Sequence, residues 1–306
     1  MKRILPIISA IAISSTAIAA EPVEIITRYT LGTTPYLVAM EITNKLNQLQ
    51  TTYEFKLSAV SGAAGESADQ RAIALARNGQ NVLLFTAKSS WTTNRYAVGM
   101  TFDRDNDLVP LYGVSGINQG LAVAKNKNIN TVDELVAYIK SKPEAYVGYP
   151  QGSVGGQIYD QLFREKYNIT NVKGIFYSAK DMNLALQNGE MDYTFWSLSD
   201  LRDIKTLMIV GKNRLPDMMD VPTITELKIT NSDTRSISLF AVPKERRTFG
   251  EGMISLIKQI CNTTEIKDRI NSLGITASCL DQKEVIDSIN DENKVMEQYK
   301  DMVKFR

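Results

Sequence analysis

Apolar and polar positions alternate along the first part of the chain in blocks that are typical of strands and helices in turn. Residues 22–30 and 53–60 are rich in β-branched residues and predict two strands, and residues 81–87 predict a third. The spacing of apolar positions in residues 35–49 and 66–78 predicts two amphipathic helices between these strands. The order strand, helix, strand, helix, strand favours a parallel sheet that is covered by helices.

The same alternation begins again near residue 120 and predicts a second α/β unit. Chain crossings between the two units are expected near residues 115–120 and 210–235, and no low-complexity linker separates them. Two closely associated α/β lobes with a cleft between them fit this pattern. We assign residues 20–118 and 215–306 to the first lobe and residues 119–214 to the second lobe.

A glycine- and serine-rich turn, VGYPQGSVGG at residues 147–156, joins a predicted strand to a predicted helix. Free backbone N–H groups at a helix start attract anions. The turn has neither the lysine of a Walker A loop nor the glycine spacing of a dinucleotide fingerprint, so nucleotide binding is disfavoured. We expect the turn to hold a smaller anion or polar group through N–H donors and the Ser153 hydroxyl. A purely structural turn is the alternative.

An internal similarity links this turn to an earlier one. SGAAGESADQ at residues 61–70 and GSVGGQIYDQ at residues 152–161 overlay at an offset of 91 residues, which places Asp69 on Asp160. Ligands of open α/β sheets collect outside the carboxyl ends of the strands. We therefore expect the two turns to form opposite halves of one binding site.

The first nineteen residues are typical of a secretory signal peptide. Lys2 and Arg3 precede an apolar run at residues 4–13, and small residues suit cleavage near Ala19. A short transmembrane anchor is the alternative, although the run is shorter than the ~20 residues that a membrane span needs. We expect the mature protein to be exported to the periplasm.

Charge and composition exclude several classes of function. Without Lys2 and Arg3 the 35 basic residues fall to 33 against 34 acidic ones, a net charge of −1 that disfavours nucleic-acid binding. The chain contains no histidine, which removes the commonest general base and the commonest metal ligand. No GxSxG motif is present either, and no histidine could activate Ser153 as a nucleophile. We expect no cofactor, no metal and no catalytic residues.

Two further groups of side chains have chemistry of interest. Cys261 and Cys279 are the only cysteines, and a disulfide between them suits an oxidising compartment, with two free thiols as the alternative. Lys88 follows the third predicted strand, where it could pair with an anionic ligand or lie solvated at a loop tip. Tyr193 and Trp196 close a later strand and could line a pocket or pack between the lobes.

Five segments resemble the Bug-type receptors of tripartite tricarboxylate transporters, which are periplasmic solute-binding proteins. The most specific is LPDMMDVPTITE at residues 215–226, which is similar to the family's LPDVPT..E signature. The other four are SGAAGESADQRAIALARNGQNVLLFT, SSWTTNRYAVGMTFDRDNDLVPLYGVS, NTVDELVAYIKSKPEAYVGYPQGSVGG and IFYSAKDMNLALQNGEMDYTF. Their order and spacing agree with the family over about residues 22–300.

The resemblance implies a bilobal, type II periplasmic-binding-protein fold, the Venus flytrap, with a central ligand cleft. It implies a ligand that is a di- or tricarboxylate, an acidic amino acid or an aromatic acid. Position by position, it places ligand-binding residues at Leu31, Gly32, Thr33 and Thr34; at Ser61, Gly62, Ala63, Ala64 and Gly65; at Thr86, Ala87, Lys88 and Ser89; at Gly152, Ser153, Val154 and Gly155; and at Tyr177, Ser178 and Asp192.

The chain departs from the family pattern at several of these positions. The first loop reads TLGTTPYL where the family has a Pro- and Gly-rich segment, Ala64 stands where glycine is common, and Ser178 replaces a lysine. The solute therefore does not follow from the resemblance alone. We expect a receptor that captures a small carboxylate and presents it to membrane permease subunits. The alternatives are a ligand sensor for a membrane signalling partner, with the same fold, and an exported serine hydrolase.

Overall fold

The computed structural model describes residues 20–62, 65–94, 102–150, 154–178, 181–232 and 235–299. Within these ranges eleven strands divide between two sheets. The strands are β1 (Glu21–Thr27), β2 (Tyr53–Ala59), β3 (Asn81–Ala87), β4 (Leu108–Ile117), β5 (Gln119–Ala124), β6 (Ala145–Pro150), β7 (Val172–Tyr177), β8 (Tyr193–Ser197), β9 (Ile204–Ile209), β10 (Ser236–Pro243) and β11 (Thr276–Leu280). The predicted signal peptide, residues 1–19, lies outside the described residues.

Helices connect these strands and cover both sheets. They are α1 (Thr34–Leu49), α2 (Glu66–Arg77), α3 (Arg104–Asp107), α4 (Val132–Ser141), α5 (Gly155–Tyr167), α6 (Met182–Gln187), α7 (Arg247–Cys261), α8 (Thr264–Ser272) and α9 (Gln282–Tyr299). Among the helices of the described ranges, none is long and apolar enough to cross a bilayer.

The first sheet has the strand order β11-β4-β10-β3-β1-β2. As predicted, β1 pairs in parallel with both β2 and β3. Successive side chains of a strand point to opposite faces, so Val23 and Ile25 of β1 pack on the side of α1, α7 and α8. Ile26 packs on the other side, against Ala68 and Ala72 of α2. The two helical layers therefore follow from the alternation that the sequence shows.

The second sheet has the order β7-β6-β8-β5-β9 and repeats the plan of the first. β6 pairs in parallel with β7 and β8, and β5 runs antiparallel between β8 and β9. In the first sheet β10 takes the same antiparallel place between β3 and β4. Thus β6, β7 and β8 correspond to β1, β2 and β3. This correspondence identifies equivalent loops in the two lobes.

The correspondence corrects the pairing of the two glycine turns. The turn before α5 follows β6, so its equivalent is the loop at residues 28–33, which follows β1. The turn at residues 61–65 instead follows β2, and its equivalent in the second lobe follows β7. The offset of 91 residues therefore overlays two turns of similar composition that are not topologically equivalent.

The chain passes between the sheets at residue 118 and again after residue 229, which is later than the lobe boundary that we placed at residue 215. β4 and β5 are separated only by Asn118, whose side-chain oxygen accepts a hydrogen bond from Thr276 at 2.9 Å. Residues 215–229, expected in the first lobe, pack against the second sheet instead. Met218 and Val221 contribute to one of its apolar clusters, since burying them there removes apolar surface from water. The return to the first sheet therefore comes after residue 229.

One helix packs on both lobes, which the sequence pattern did not predict. Val285 and Ile289 of α9 belong to the apolar cluster of the first sheet. Val295 and Met296, two turns further along, pack against α5 of the second lobe. α9 therefore joins the lobes through apolar contacts at both of its ends.

A disulfide joins Cys261, the last residue of α7, to Cys279 in β11, with a Cα–Cα distance of 5.8 Å. The sequence left a disulfide and two free thiols as alternatives, and the structure contains the disulfide. It closes a loop with a sequence separation of 18 that contains α8 and most of β11.

Candidate functional site

Three parallel strands of the first lobe end at one edge of their sheet. Because β1, β2 and β3 run in the same direction, the segments that follow them lie side by side there. We call this edge, and the matching edge formed by β6, β7 and β8 of the second lobe, the cleft edges. The first cleft edge carries Leu31, Gly32, Thr33, Thr34, Ser61, Gly62, Gly65, Thr86, Ala87, Lys88 and Ser89. Ala63 and Ala64 lie outside the described residues.

The second cleft edge carries those of the remaining predicted positions that the structure describes, with one exception. Val154 precedes α5, which begins at Gly155, and β7 ends at Tyr177, which Ser178 follows. The Ser178 hydroxyl donates to the Asp181 carboxylate at 2.5 Å. Gly152 and Ser153 lie outside the described residues. The exception is Asp192.

Asp192 precedes β8 and lies at the opposite edge of the second sheet. β8 runs parallel to β6, so the start of β8 is far from the turn that follows β6. The Asp192 side chain is 2% exposed, and Lys142 Nζ donates to its two oxygens at 2.8 and 2.9 Å. The Tyr138 hydroxyl donates at 2.9 Å. Our expectation that Asp192 binds the ligand is therefore contradicted, since its carboxylate is engaged within the lobe.

Lys88 also has a protein partner. Its side chain is 1% exposed, and Nζ lies 2.9 Å from a carboxylate oxygen of Glu292 and donates to Ser288 Oγ at 3.0 Å. Both partners belong to α9. The structure therefore contradicts the expected role as a ligand cation, and equally the alternative of a solvated loop tip. The physical reason is that α9 covers this strand end.

Several helices begin at the cleft edges without a side-chain cap. The residues that precede α1, α2 and α5 are Thr33, Gly65 and Val154, and none of them accepts a capping hydrogen bond through its side chain. α4 and α8 begin elsewhere in the fold, and there Thr131 and Thr263 do cap the first turn. The first N–H groups of a helix have no intrahelical acceptor. At these three described positions no N-cap side chain occupies the first N–H groups of the helix, which makes these groups candidate donors for an anion.

A buried polar cluster fixes the position of α5. The carboxylate of Asp160, in the second turn of the helix, accepts hydrogen bonds from Tyr149 of β6 and Tyr193 of β8, both at 2.5 Å. Arg164 Nε lies 2.9 Å from the same carboxylate. Burial raises the pKa of Asp160, and the charge of Arg164 opposes that rise. Tyr193 thus packs inside the second lobe and holds α5, with Gly155 at its start, on the sheet.

One charged residue at the first cleft edge was missed by the sequence reasoning. Arg28 directly follows β1, is half-buried, and donates from Nη1 to Ser90 Oγ at 2.8 Å. Its guanidinium lies against Gly65, where an added Cβ would come within 2.4 Å of Cζ. The signal that could have found it is a charged residue at the carboxyl end of a buried parallel strand.

Comparison with known proteins places this geometry in a family. The family model of the tripartite tricarboxylate transporter family receptor matches residues 57–300. A search of curated protein sequences finds no match. The matched segment contains strands β3 to β11, and therefore the entire second lobe.

Solved structures with the same fold include proteins from Polaromonas and Rhodopseudomonas palustris. A TctC solute-binding protein from Polaromonas without ligand has a TM-score of 0.75 at 16% identity, over 91% of this chain and 98% of that chain. An R. palustris protein with adipate has a TM-score of 0.70 at 18% identity, over 90% and 96% of the two chains. MatC from Rhodopseudomonas palustris with bound malate has a TM-score of 0.69 at 17% identity, over 93% and 99%.

These likenesses confirm the bilobal periplasmic-binding-protein fold that the sequence predicted. At 16–18% identity, structural similarity shows the fold alone. The family model matches the sequence itself over most of its length, and it therefore shows the family as well. The family consists of solute-binding receptors and is not an enzyme family. The chain belongs to the tripartite tricarboxylate transporter receptor family.

Proposed function

We propose that this receptor captures a small carboxylate in the cleft between its lobes and delivers it to a tripartite tricarboxylate-type membrane transporter. The observation that carries the proposal is the set of helices that begin at the cleft edges without side-chain caps, α1 and α2 in one lobe and α5 in the other. Their first N–H groups and the positive ends of their dipoles favour an anion. Adipate and malate in two structural relatives indicate dicarboxylates as the first ligands to test.

Residues from both lobes would contact the solute. In the first lobe we propose Leu31, Gly32, Thr33, Thr34, Ser61, Gly62, Ala63, Ala64, Gly65, Thr86, Ala87 and Ser89, and in the second Gly152, Ser153, Val154, Gly155, Tyr177 and Ser178. A solute that contacts both lobes stabilises the closed arrangement over the open one. A closed, loaded receptor is then the form that a membrane permease distinguishes from the empty one.

Export is part of the same proposal. We propose that residues 1–19 are a signal peptide that is removed near Ala19, so that the mature receptor works in the periplasm, as receptors of this family do. Expression in a bacterial host with fractionation, followed by intact mass measurement, tests this step. The expected periplasmic product begins at Ala20, and an unprocessed chain in the membrane fraction would contradict it.

Isothermal titration calorimetry against a panel of solutes tests the binding function. The panel contains malate, adipate, succinate, citrate, glutamate and benzoate, with glucose as a neutral control. We expect one-to-one binding of at least one carboxylate and a stabilisation of about 2.7 kcal/mol at a hundredfold excess over the dissociation constant. Binding of glucose alone, with no carboxylate bound, would overturn the proposal.

A matched pair of variants tests whether the start of α5 belongs to the site. In Gly155→Asp the nearest described atom to the added Cβ is in the Tyr159 ring at 3.5 Å, an ordinary contact, so we expect the fold to tolerate it. The new carboxylate repels an anion at the helix start, and we expect at least a tenfold loss of affinity. Gly252→Asp in α7 places the same charge in open space and serves as the control. Unchanged affinity in Gly155→Asp would mean that the turn before α5 is structural only.

A further inference from the structure

Arg28 lies where all three strand-end segments of the first lobe meet. It follows β1 directly, it donates from Nη1 to Ser90 in the segment after β3, and it packs on Gly65 at the end of the segment after β2. The side chain is partly exposed. A guanidinium is therefore present at the centre of the first cleft edge.

The position of the guanidinium is held by its contacts. An added Cβ on Gly65 would lie 2.4 Å from both Nε and Cζ of Arg28, so the flat face of the group rests directly on the backbone there. Gly65 also has a φ of +96°, a conformation that other residues adopt at a cost. The hydrogen bond to Ser90 fixes one end of the fork. A planar guanidinium that is held in this way is suited to two parallel hydrogen bonds to a carboxylate.

The electrostatic surroundings of Arg28 favour an anion. The group lies at the N-terminus of α2, the positive end of the helix dipole, where a cation is disfavoured and an anion favoured. Burial lowers the pKa of Arg28, the charge of Asp69 opposes this, and the charge of Arg104 adds to it. Asp69 is already bonded to Arg104, whose Nε lies 3.0 Å away. The negative charge of Asp69 therefore acts on both guanidinium groups, and its ion pair is with Arg104.

We propose that Arg28 is a specificity-determining residue of this receptor, which binds one carboxylate of a dicarboxylate solute at the first cleft edge. This inference rests on the proposed function and adds to it the residue that separates dicarboxylates from monocarboxylates. The second carboxylate then lies toward the second lobe, where the start of α5 provides backbone donors. A solute with a single carboxylate can bind through that group either to Arg28 or to the start of α5, but not to both.

Paired ligands measured on paired variants test the proposal. Adipate is compared with hexanoate, which has the same chain length and one carboxylate, and malate with 2-hydroxybutyrate. Calorimetry is carried out on the wild-type protein, Arg28→Gln, Arg28→Lys and Arg71→Gln. Arg71 lies on the exposed surface of α2, where its guanidinium is 3.8 Å from Glu24, and its loss removes one positive charge outside the cleft edge.

The expected result is a loss of discrimination as well as of affinity. Arg28→Gln weakens binding of the better dicarboxylate at least tenfold and reduces its advantage over the matching monocarboxylate. Arg28→Lys keeps the charge but not the planar fork, and gives an intermediate affinity. Arg71→Gln stays within twofold of the wild type. If Arg28 served only to hold the fold, both ligands of a pair would weaken by the same factor, which would overturn the inference.

The outcomes separate this inference from the proposed function. Binding of dicarboxylates that is unchanged within twofold in Arg28→Gln overturns the role of Arg28 and leaves the receptor function standing. Failure of the wild-type protein to bind any carboxylate overturns both. Circular dichroism and thermal unfolding show whether each variant folds. If Arg28→Gln does not fold, the ratio of dicarboxylate to monocarboxylate affinity is measured on Arg28→Lys and Ser90→Ala instead. Ser90→Ala removes the hydroxyl that accepts the hydrogen bond from Nη1 of Arg28.

Discussion

At the scale of single residues, buried charges at strand ends show how burial and pairing determine the role of a side chain. Asp192 is almost fully buried, yet it accepts hydrogen bonds from Lys142, from the Tyr138 hydroxyl and from the Tyr146 backbone N–H at 2.8 Å. Lys127 lies 3.3 Å away. A buried carboxylate is costly unless it is paired and hydrogen-bonded, and here it is both. The cluster ties the end of α4 to the starts of β6 and β8.

The first prediction concerns the pH dependence of this cluster. Burial alone raises the pKa of Asp192, but the hydrogen bond from Lys142 and the other donors outweigh it, so the net pKa lies below the ordinary value. Because the pKa is lower in the folded chain, the carboxylate stabilises the fold above a pH of about 4. That contribution is lost as the pH falls through the folded pKa. We expect Asp192→Asn to lower the unfolding free energy by about 2–3 kcal/mol at pH 7.

Urea unfolding of both proteins between pH 7 and pH 3 measures this difference. It should shrink as the pH falls below about 4, because the wild-type carboxyl group is then protonated too. Asp217→Asn, at an exposed loop position, is the control and should stay within about 0.5 kcal/mol throughout. A difference between wild type and Asp192→Asn that is equal at pH 7 and pH 3 would show that the charge is not what stabilises the cluster.

The sequence located the strand ends of the candidate site but not the partners of the charged side chains there. Lys88 is at the predicted place, and its partners Ser288 and Glu292 come about 200 residues later. No local pattern connects positions so far apart. The position of Arg28 after a buried strand could be read from the sequence, but its contacts with Ser90 and Gly65 follow only from the fold. Local pattern therefore predicts where the chain turns, and tertiary packing decides which side chains are left for a ligand.

At the scale of elements, α9 is the feature with the largest consequence for the receptor. Its first half packs on the first sheet and its second half on α5, so it spans both lobes. Near its middle, Glu292 pairs with Lys88 directly after β3. The helix thus connects a strand end of one cleft edge to the helix that begins at the other. Movement of the lobes relative to each other must be accommodated along this helix.

The second prediction is that the Lys88–Glu292 pair stabilises the attachment of α9. Lys88→Met leaves the Glu292 carboxylate buried without this partner, and breaking a buried pair in this way costs on the order of 3 kcal/mol. The double variant Lys88→Met with Glu292→Leu removes both charges and should recover at least about 1 kcal/mol of that loss. Urea unfolding of the two single variants and the double variant gives the coupling energy.

A surface pair between α9 and the segment after β9 serves as the control for this cycle. Lys212 Nζ lies 3.4 Å from the Asp291 carboxylate, and both side chains are partly exposed. Exposed pairs contribute little, so Lys212→Met should change the unfolding free energy by less than about 0.5 kcal/mol. Additive effects of the Lys88 and Glu292 substitutions would mean that the two side chains do not act as a pair.

The order of strands and helices was largely predictable, but their arrangement across the two lobes was only partly so. Periodicity found the βαβαβ unit of the first lobe, because that signal is local. β10 enters the first sheet next to β3 from about 150 residues further along, which periodicity cannot show. The assignment of residues 215–229 to the first lobe was wrong for the same reason, since their apolar side chains fit the second sheet.

At the scale of the whole molecule, the chain connects the two sheets at few places. Apart from β11, which only the first sheet has, equivalent strands follow the same order in both sheets. The passage at Asn118 is one residue long, and the return follows residue 229. The chain then completes the first lobe with β10, α7, α8 and β11 before α9 passes to the second lobe. The disulfide lies in this last portion, at the edge of the first sheet formed by β11. It therefore fastens a late part of the chain rather than the ligand-binding segments.

The third prediction is that the disulfide between Cys261 and Cys279 contributes to stability without contributing to binding. Closing a loop with a sequence separation of 18 removes chain entropy from the unfolded state, which amounts to about 3 kcal/mol. The double variant Cys261→Ser with Cys279→Ser, or reduction of the wild type, should lower the unfolding free energy by that amount. Neither cysteine lies at a cleft edge, so carboxylate affinity should stay within twofold. Reduced and oxidised protein are compared by urea unfolding and by calorimetry at a temperature where both are folded. A large loss of affinity on reduction, with stability unchanged, would show that β11 transmits strain to the cleft instead of closing the first lobe.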